Sequence, residues 1–341
     1  MIPESRVFVL PVEFFKWDGK ARPSGQLLWY IVGAMANHFS RVLVTGASGP
    51  IGAALLPSLR ARGMRVTTLV RGQNAGENQR HWDPSQQLNP ELVERFDAVI
   101  HLAGEPVVGR WTAAKKAQIR DSRVLGTRHL SQALASTKDK PRVFVTASAI
   151  GFYGDRGDEV LTEDSPSGTG FFPDVCREWE GMTRAASDAG IRTVHTRFGI
   201  VLSPKGGALG AMLPAFRMGI GGRIASGRQW MSWIHVQDLV GAMHLVLNTD
   251  LLQGAVNFVS PRPVPNAEFT RTLASVLSRP AMIPVPAFML RLLFGEMADE
   301  ALLVSQRVEP VRLITSGYPF QYSDLRKALT AVLTKNTSRA A

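Results

Sequence analysis

One cysteine, Cys176, stands in a chain of 341 residues. A single thiol excludes an internal disulfide, so the fold must rest on buried apolar surface. It also fits a reducing compartment, and the cytoplasm is the expected location. No apolar run reaches the ~20 residues that a membrane-spanning helix needs, so no membrane association is expected. Dense Lys/Arg runs, a helix-turn-helix pattern and zinc-ligand spacing are all missing. Nucleic-acid binding is therefore the weakest reading, although 39 Lys and Arg face 28 Asp and Glu for a formal charge of +11. The excess is mostly scattered arginine, which suits a phosphorylated small molecule or an acidic substrate better. No metal site and no internal repeat are expected. What is present is ordinary globular composition, 45% hydrophobic and 20% charged. The length allows one large or two unequal domains.

The first 34 residues read differently from the rest. Lys16, Lys20 and Arg22 precede the apolar run Leu27 to Ala34, a pattern resembling a signal peptide. The favoured reading takes residues 1–34 as an N-terminal extension and Met35 as the natural start. Met35 leads directly into a strand at Arg41.

The most informative stretch is Arg41-Val-Leu-Val-Thr-Gly-Ala-Ser-Gly-Pro-Ile-Gly52. A β-branched strand runs into Gly46, Gly49 and Gly52, and an apolar helix pattern follows at Ile51, Leu55, Leu56 and Leu59. Strand, tight turn and helix N-terminus together make a dinucleotide-phosphate site. Residues Gly46, Ala47, Ser48, Gly49, Pro50, Ile51 and Gly52 are the expected phosphate cradle.

Downstream, strand signals at Val66–Val70, Asp97–Leu102, Arg142–Ala147 and Thr193–Phe198 alternate with helical patterns at 51–62, 113–136 and 173–189. Alternation of this kind predicts an α/β fold, a doubly wound parallel sheet of Rossmann type covered on both faces. Asp238 reads as the N-cap of a helix over 239–247. Prolines alternate with short helical pieces from 255, and a last helix is expected at 323–333. The expected organisation is a nucleotide-binding domain over 35–203, with 234–260 contributing, a small C-terminal substrate lobe from 204–233 and 261–333, and a disordered tail over 334–341.

The second strand ends in Arg71, where a carboxylate would favour the cofactor without a 2′-phosphate. Arginine can pair bidentately with a ribose 2′-phosphate, a contact of about 1.5–3 kcal/mol. The expected cofactor is therefore NADP(H), the alternative being that Arg71 is only a solvated surface cation.

The glycine motif, His101-Leu-Ala-Gly104 and Trp233-Ile-His-Val-Gln-Asp238 together resemble the extended short-chain dehydrogenase/reductases. Gly104-Glu-Pro, Arg110-Trp111, Ser122-Arg123, Ser148-Ala-Ile-Gly-Phe-Tyr-Gly154 and Cys176-Arg-Glu-Trp-Glu180 resemble its atypical "epimerase family" branch, sometimes labelled cell-division-inhibitor-like. The resemblance covers about residues 41–333. It implies a Rossmann domain, NADP(H) held also by Leu102, Ala103, Gly104 and Ala147, and a serine at Ser148. Standard members also carry a Tyr-x-x-x-Lys pair for proton transfer and ribose binding. Those positions fall on Phe172 and Cys176 here, so the usual proton relay is absent.

Ser148, Tyr153 and Cys176 are the catalytic candidates. Cys176, read as lying near a helix N-terminus, could have a lowered pKa, which Glu180 one turn later opposes; a buried, inert cysteine is the favoured reading. Glu105, Arg110, Trp111, Arg123, Lys205 and Arg228 are the substrate-binding candidates, with Arg110, Trp111 and Arg123 suited to an anionic or planar group. His101 and His235 read as structural. The expected activity is NADP(H)-dependent oxidoreduction or epimerisation of a small hydroxyl or carbonyl substrate. The alternative is a catalytically silent NADPH-binding sensor or regulator. The partners expected are a small-molecule substrate and, through helices 113–136 and 173–189, a homodimer.

Overall fold

The computed structural model describes residues 39–72, 76–204 and 206–334. The N-terminal extension, Met35, Lys205 and residues 335–341 lie outside the described residues. The main sheet has seven strands, all parallel: β1 (Arg41–Thr45), β2 (Arg65–Val70), β3 (Gln79–His81), β4 (Ala98–His101), β5 (Val143–Ala149), β6 (Arg192–Phe198) and β7 (Gly254–Phe258). Their spatial order is β7-β6-β5-β4-β1-β2-β3. The chain adds strands outward from β1 on one side and then, from β4 on, on the other, and this switch leaves a crevice at the carboxyl ends where ligands of such sheets bind. The strands are nearly continuous apolar runs because both faces are covered. Val42, Leu43 and Val44 of β1 and Ala98, Val99 and Ile100 of β4 are fully buried.

Helices α1 (Pro50–Ala61), α2 (Ala113–Ser136), α3 (Phe171–Gly181), α4 (Arg184–Asp188), α5 (Gly207–Arg217), α6 (Val236–Asn248), α7 (Asn266–Leu277) and α8 (Ala287–Phe294) follow in chain order. α9 (Val311–Thr315) and α10 (Leu325–Thr334) complete the described chain. One core cluster joins the sheet to its helices through Leu43, Val99, Leu130, Leu134 and Phe144. A second gathers residues after position 200, among them Leu213, Trp233, Phe269 and Leu329.

Four expectations need correction. The helix expected over 173–189 is two helices, α3 and α4. β3 and the edge strand β7 carried no recognised signal. Asp238 is not an N-cap: the helix begins at Val236, and the His235 side chain accepts from the Gln237 amide at 3.1 Å. The Asp238 carboxylate instead accepts from the amides of Gln321 and Tyr322 at 2.8 and 2.9 Å, tying the later chain to the start of α6. Thr334, assigned to the tail, is the last residue of α10.

Candidate functional site

Sterics dictate the glycine turn. Gly46 has φ +69°, and a β-carbon there would lie 2.5 Å from the Leu102 carbonyl carbon. At Gly52 it would lie 2.6 Å from the Gly46 oxygen. The Gly49 amide closes the turn on the Gly46 carbonyl at 3.1 Å. α1 starts at Pro50 with no side-chain cap and no acidic residue in its first turn. Its leading amides are left for an anion.

Two cavities meet on this turn, sharing Gly46, Gly49, Leu102, Ala103 and Gly104 as walls. The larger, about 790 Å³, runs over the ends of β1 and β2 past Ala47, Ser48, Arg60, Arg71 and Glu105. Arg60 and Arg71 are both exposed at this rim; Arg60 went unrecognised because the last turn of an ordinary helix often carries arginine. The second cavity, about 420 Å³, runs past Pro50, Ile51, Gly52, Ala147 and Ser148 toward the segments after residue 198. Its described walls are mostly apolar, including Phe172, Trp179, Met212 and Met231. The donor set and the glycine cradle fit a dinucleotide laid across both cavities.

Ser148 is almost fully buried yet forms part of the second cavity's wall. Its hydroxyl donates to Glu180 Oε1 at 2.6 Å. Arg197 grips the same carboxylate with two bonds of 2.8 Å. It also donates to the Tyr153 hydroxyl at 2.9 Å, and Phe152 packs against its guanidinium at 3.5 Å. Hydrogen bonding to Glu180 holds the Arg197 pKa above its ordinary value despite an opposing, larger burial effect. Glu180 was legible in the sequence only as the last residue of the Cys176-Arg-Glu-Trp-Glu180 motif. Arg197, inside a buried strand, gave no sequence signal.

The other candidates separate. Tyr153 is fully buried, donates to Asn257 Oδ1 at 2.7 Å, and is not a wall of either cavity. Burial pushes its pKa up. Cys176 lies in the middle of α3, not at its start, and is fully buried. Burial first, then Glu180, pushes its thiol up to about 12, which agrees with the inert reading and not with the reactive one. Trp111 is a core residue, edge-on to Phe171 and Phe172, its indole donating to the Val107 carbonyl. Arg110 reaches the Leu292 carbonyl at 2.6 Å. Arg228 is exposed. Neither Arg110 nor Arg228 forms a cavity wall. Glu105 is paired with Lys115 at 2.6 Å at the edge of the larger cavity. His101 shares a 2.6 Å bond with Thr45 behind the glycine turn, and burial lowers its pKa to about 4.

Arg123 does reach the second cavity. It is 9% exposed, donates to the Ile119 carbonyl at 3.0 Å and lies over the Trp179 ring. Its Nε is buried without a partner, and no carboxylate pairs with it among the described residues. Burial lowers its pKa, with Cys176 and Glu105 opposing. Phe172, at the position expected for a tyrosine, packs where a β-carbon on Gly151 would stand, 2.3 Å away. Among the described residues Glu300 is the other charged wall residue, and its carboxylate accepts from the Phe171 and Phe172 amides at 3.3 and 3.1 Å.

Comparison with known proteins agrees with this architecture. Residues 42–257 match the NAD dependent epimerase/dehydratase family, and residues 285–332 match a domain of unknown function, DUF1731. The epimerase family protein Mb2239 of Mycobacterium bovis is 40% identical over 303 residues, covering 88% of this chain and 99% of that protein. The crystal structure of human epimerase family protein SDR39U1 with NADPH superposes with a TM-score of 0.80 at 34% identity, covering 86% of this chain and 99% of that one. A UDP-glucose 4-epimerase of Thermus thermophilus, at 21% identity and a TM-score of 0.70 over 88% of this chain and 99% of that one, shares the fold. With a parallel Rossmann-type sheet, a glycine turn under its crevice and relatives matching along most of its length, the chain belongs to the NAD dependent epimerase/dehydratase family, in its atypical extended short-chain dehydrogenase/reductase branch.

Proposed function

We propose that the protein is an NADPH-dependent oxidoreductase or epimerase for a small hydroxyl or carbonyl substrate bound beside Ser148. The observation that carries the reading is the continuity of the two cavities across an uncapped helix start, with Ser148 on the wall of the inner one. Backbone amides at Ile51 and Gly52 are free to hold a diphosphate. Arg60 and Arg71 supply cations for a 2′-phosphate, in line with the NADPH reported for the human relative.

A nicotinamide in the inner cavity would supply or accept the hydride. The protein's own task is the proton. Because Ser148 donates to Glu180, its oxygen offers lone pairs to a substrate hydroxyl. On oxidation, the substrate O–H proton passes to Ser148 Oγ while the Ser148 proton passes to Glu180 Oε1. Reduction reverses both transfers. Arg197 orients Glu180 through both carboxylate oxygens and so fixes the acceptor's position. This route needs neither Phe172 nor Cys176.

Titration of the protein's fluorescence with NADPH and with NADH tests the cofactor. NADPH should bind more tightly, and Arg71→Ala should erode that preference by roughly ten- to a hundredfold. Ser148→Ala should keep cofactor affinity and lose about 100-fold or more in turnover across a panel of alcohols and ketones. Absence of binding by either nucleotide would sink the reading. NADPH binding with no turnover on any panel member would favour the silent sensor.

A further inference from the structure

Arg123 is a buried cation with no salt-bridge partner among the described residues; Glu105, which acts on it from farther off, is itself paired with Lys115. It projects from α2 to the wall of the inner cavity, lies against Gly104, and stacks over Trp179. A β-carbon on Gly104 would come within 3.3 Å of its guanidinium. One Nη meets a backbone carbonyl, which leaves the formal charge unneutralised, and Nε has no partner. A guanidinium held this way is destabilising unless an anion joins it. The remaining walls narrow which anion. Arg123 is the one cation among the described residues lining the inner cavity, and Glu300 is already committed to the start of α3. Most of the other described walls are apolar, among them Phe172, Trp179, Met212 and Met231, which suits an anion with an apolar body.

We infer that Arg123 receives the carboxylate of a small monocarboxylic substrate whose apolar body fills the inner cavity. The planar fork of arginine matches a carboxylate, and the Trp179 ring lies 5.1 Å from its Cζ. Charge pairing orients the substrate, and the Met and aromatic walls exclude water from the pair. This deepens the reading above, since it names the class of compound whose hydroxyl or carbonyl meets Ser148. The anion site itself does not depend on turnover.

The test is calorimetric titration of the full chain with benzoate, with and without saturating NADPH. Benzamide, benzyl alcohol and inorganic pyrophosphate serve as comparison probes. Benzoate should bind at least tenfold more tightly than benzamide or benzyl alcohol, and pyrophosphate should not displace it when NADPH is bound. Arg123→Met should weaken benzoate at least tenfold and leave NADPH affinity within threefold, and Arg123→Lys should restore part of the loss. Equal binding of benzoate and benzamide to the unmodified protein overturns the inference without any variant. So does undetectable benzoate binding, or a loss of NADPH affinity in Arg123→Met as large as the loss for benzoate, which would give the guanidinium to the cofactor. Arginine-dependent benzoate binding in a protein that ignores both nucleotides would leave the anion site standing and overturn the proposed function instead.

Discussion

Cys176 and Glu180 stand one turn apart on the same helix and have opposite fates. The cysteine is sealed in the core, and the carboxylate is held behind Ser148 by bonds from Ser148 and Arg197. With its thiol pushed up to about 12, Cys176 has almost no thiolate near neutrality. It should therefore ignore a disulfide-exchange reagent at pH 8 in the folded protein and react with one equivalent after denaturation. Rapid labelling of the native protein would contradict the burial described. Sequence alone could not separate these two residues. Both sit at helix spacing near a serine, and only the packing of α3 against β5 and α2 decides which one bonds Ser148. The same holds for Tyr153, whose motif position suggested an acid but whose hydroxyl is spent on Asn257 and Arg197.

At the scale of elements, the turn between β1 and α1 was fully legible, because its glycines answer to local sterics that any sequence must obey. Gly52→Ala should cost about 1–3 kcal/mol, since its β-carbon would collide with backbone that cannot move independently. It should also weaken NADPH binding by displacing the start of α1. Denaturant melts beside a nucleotide titration would check both. Gly63→Ala, where a β-carbon meets nothing within 4 Å, controls for cavity filling; its φ of +78° confines the penalty to backbone strain. The central strands and α2 were equally readable from apolar runs and helical spacing. β3, three half-exposed residues, has no period to read. β7 carries Gly254 and Asn257, and its pairing with β6 depends on chain that is far away in sequence. The start of α6 was misplaced because Asp is a common cap, while here it is a tether to residues more than 80 positions later.

Across the whole molecule, buried histidines weaken the fold in acid, His195 among them, its pKa lowered by burial. His101 and His244 each have the pKa lowered by burial from 6.5 to about 4. The unfolded chain therefore binds protons between these values that the folded chain refuses. Stability is fully present above pH 6.5 and falls as the pH drops toward 4, by on the order of 3 kcal/mol for each histidine. Urea melts at pH 7.5 and 5 should show this loss, and His101→Asn should reduce it. A pH-independent midpoint over that interval would contradict the neutral burial of both rings. The Glu300 carboxylate described at the start of α3 bears on the molecule's history. It bridges positions 128 and 129 residues apart, joining the region that matches the epimerase family to the region that matches DUF1731. These two regions are consequently not interchangeable modules. Any recombination that replaced the later one would leave the first two amides of the helix carrying Glu180 without their acceptor, unless the incoming segment brought an acid to the same place.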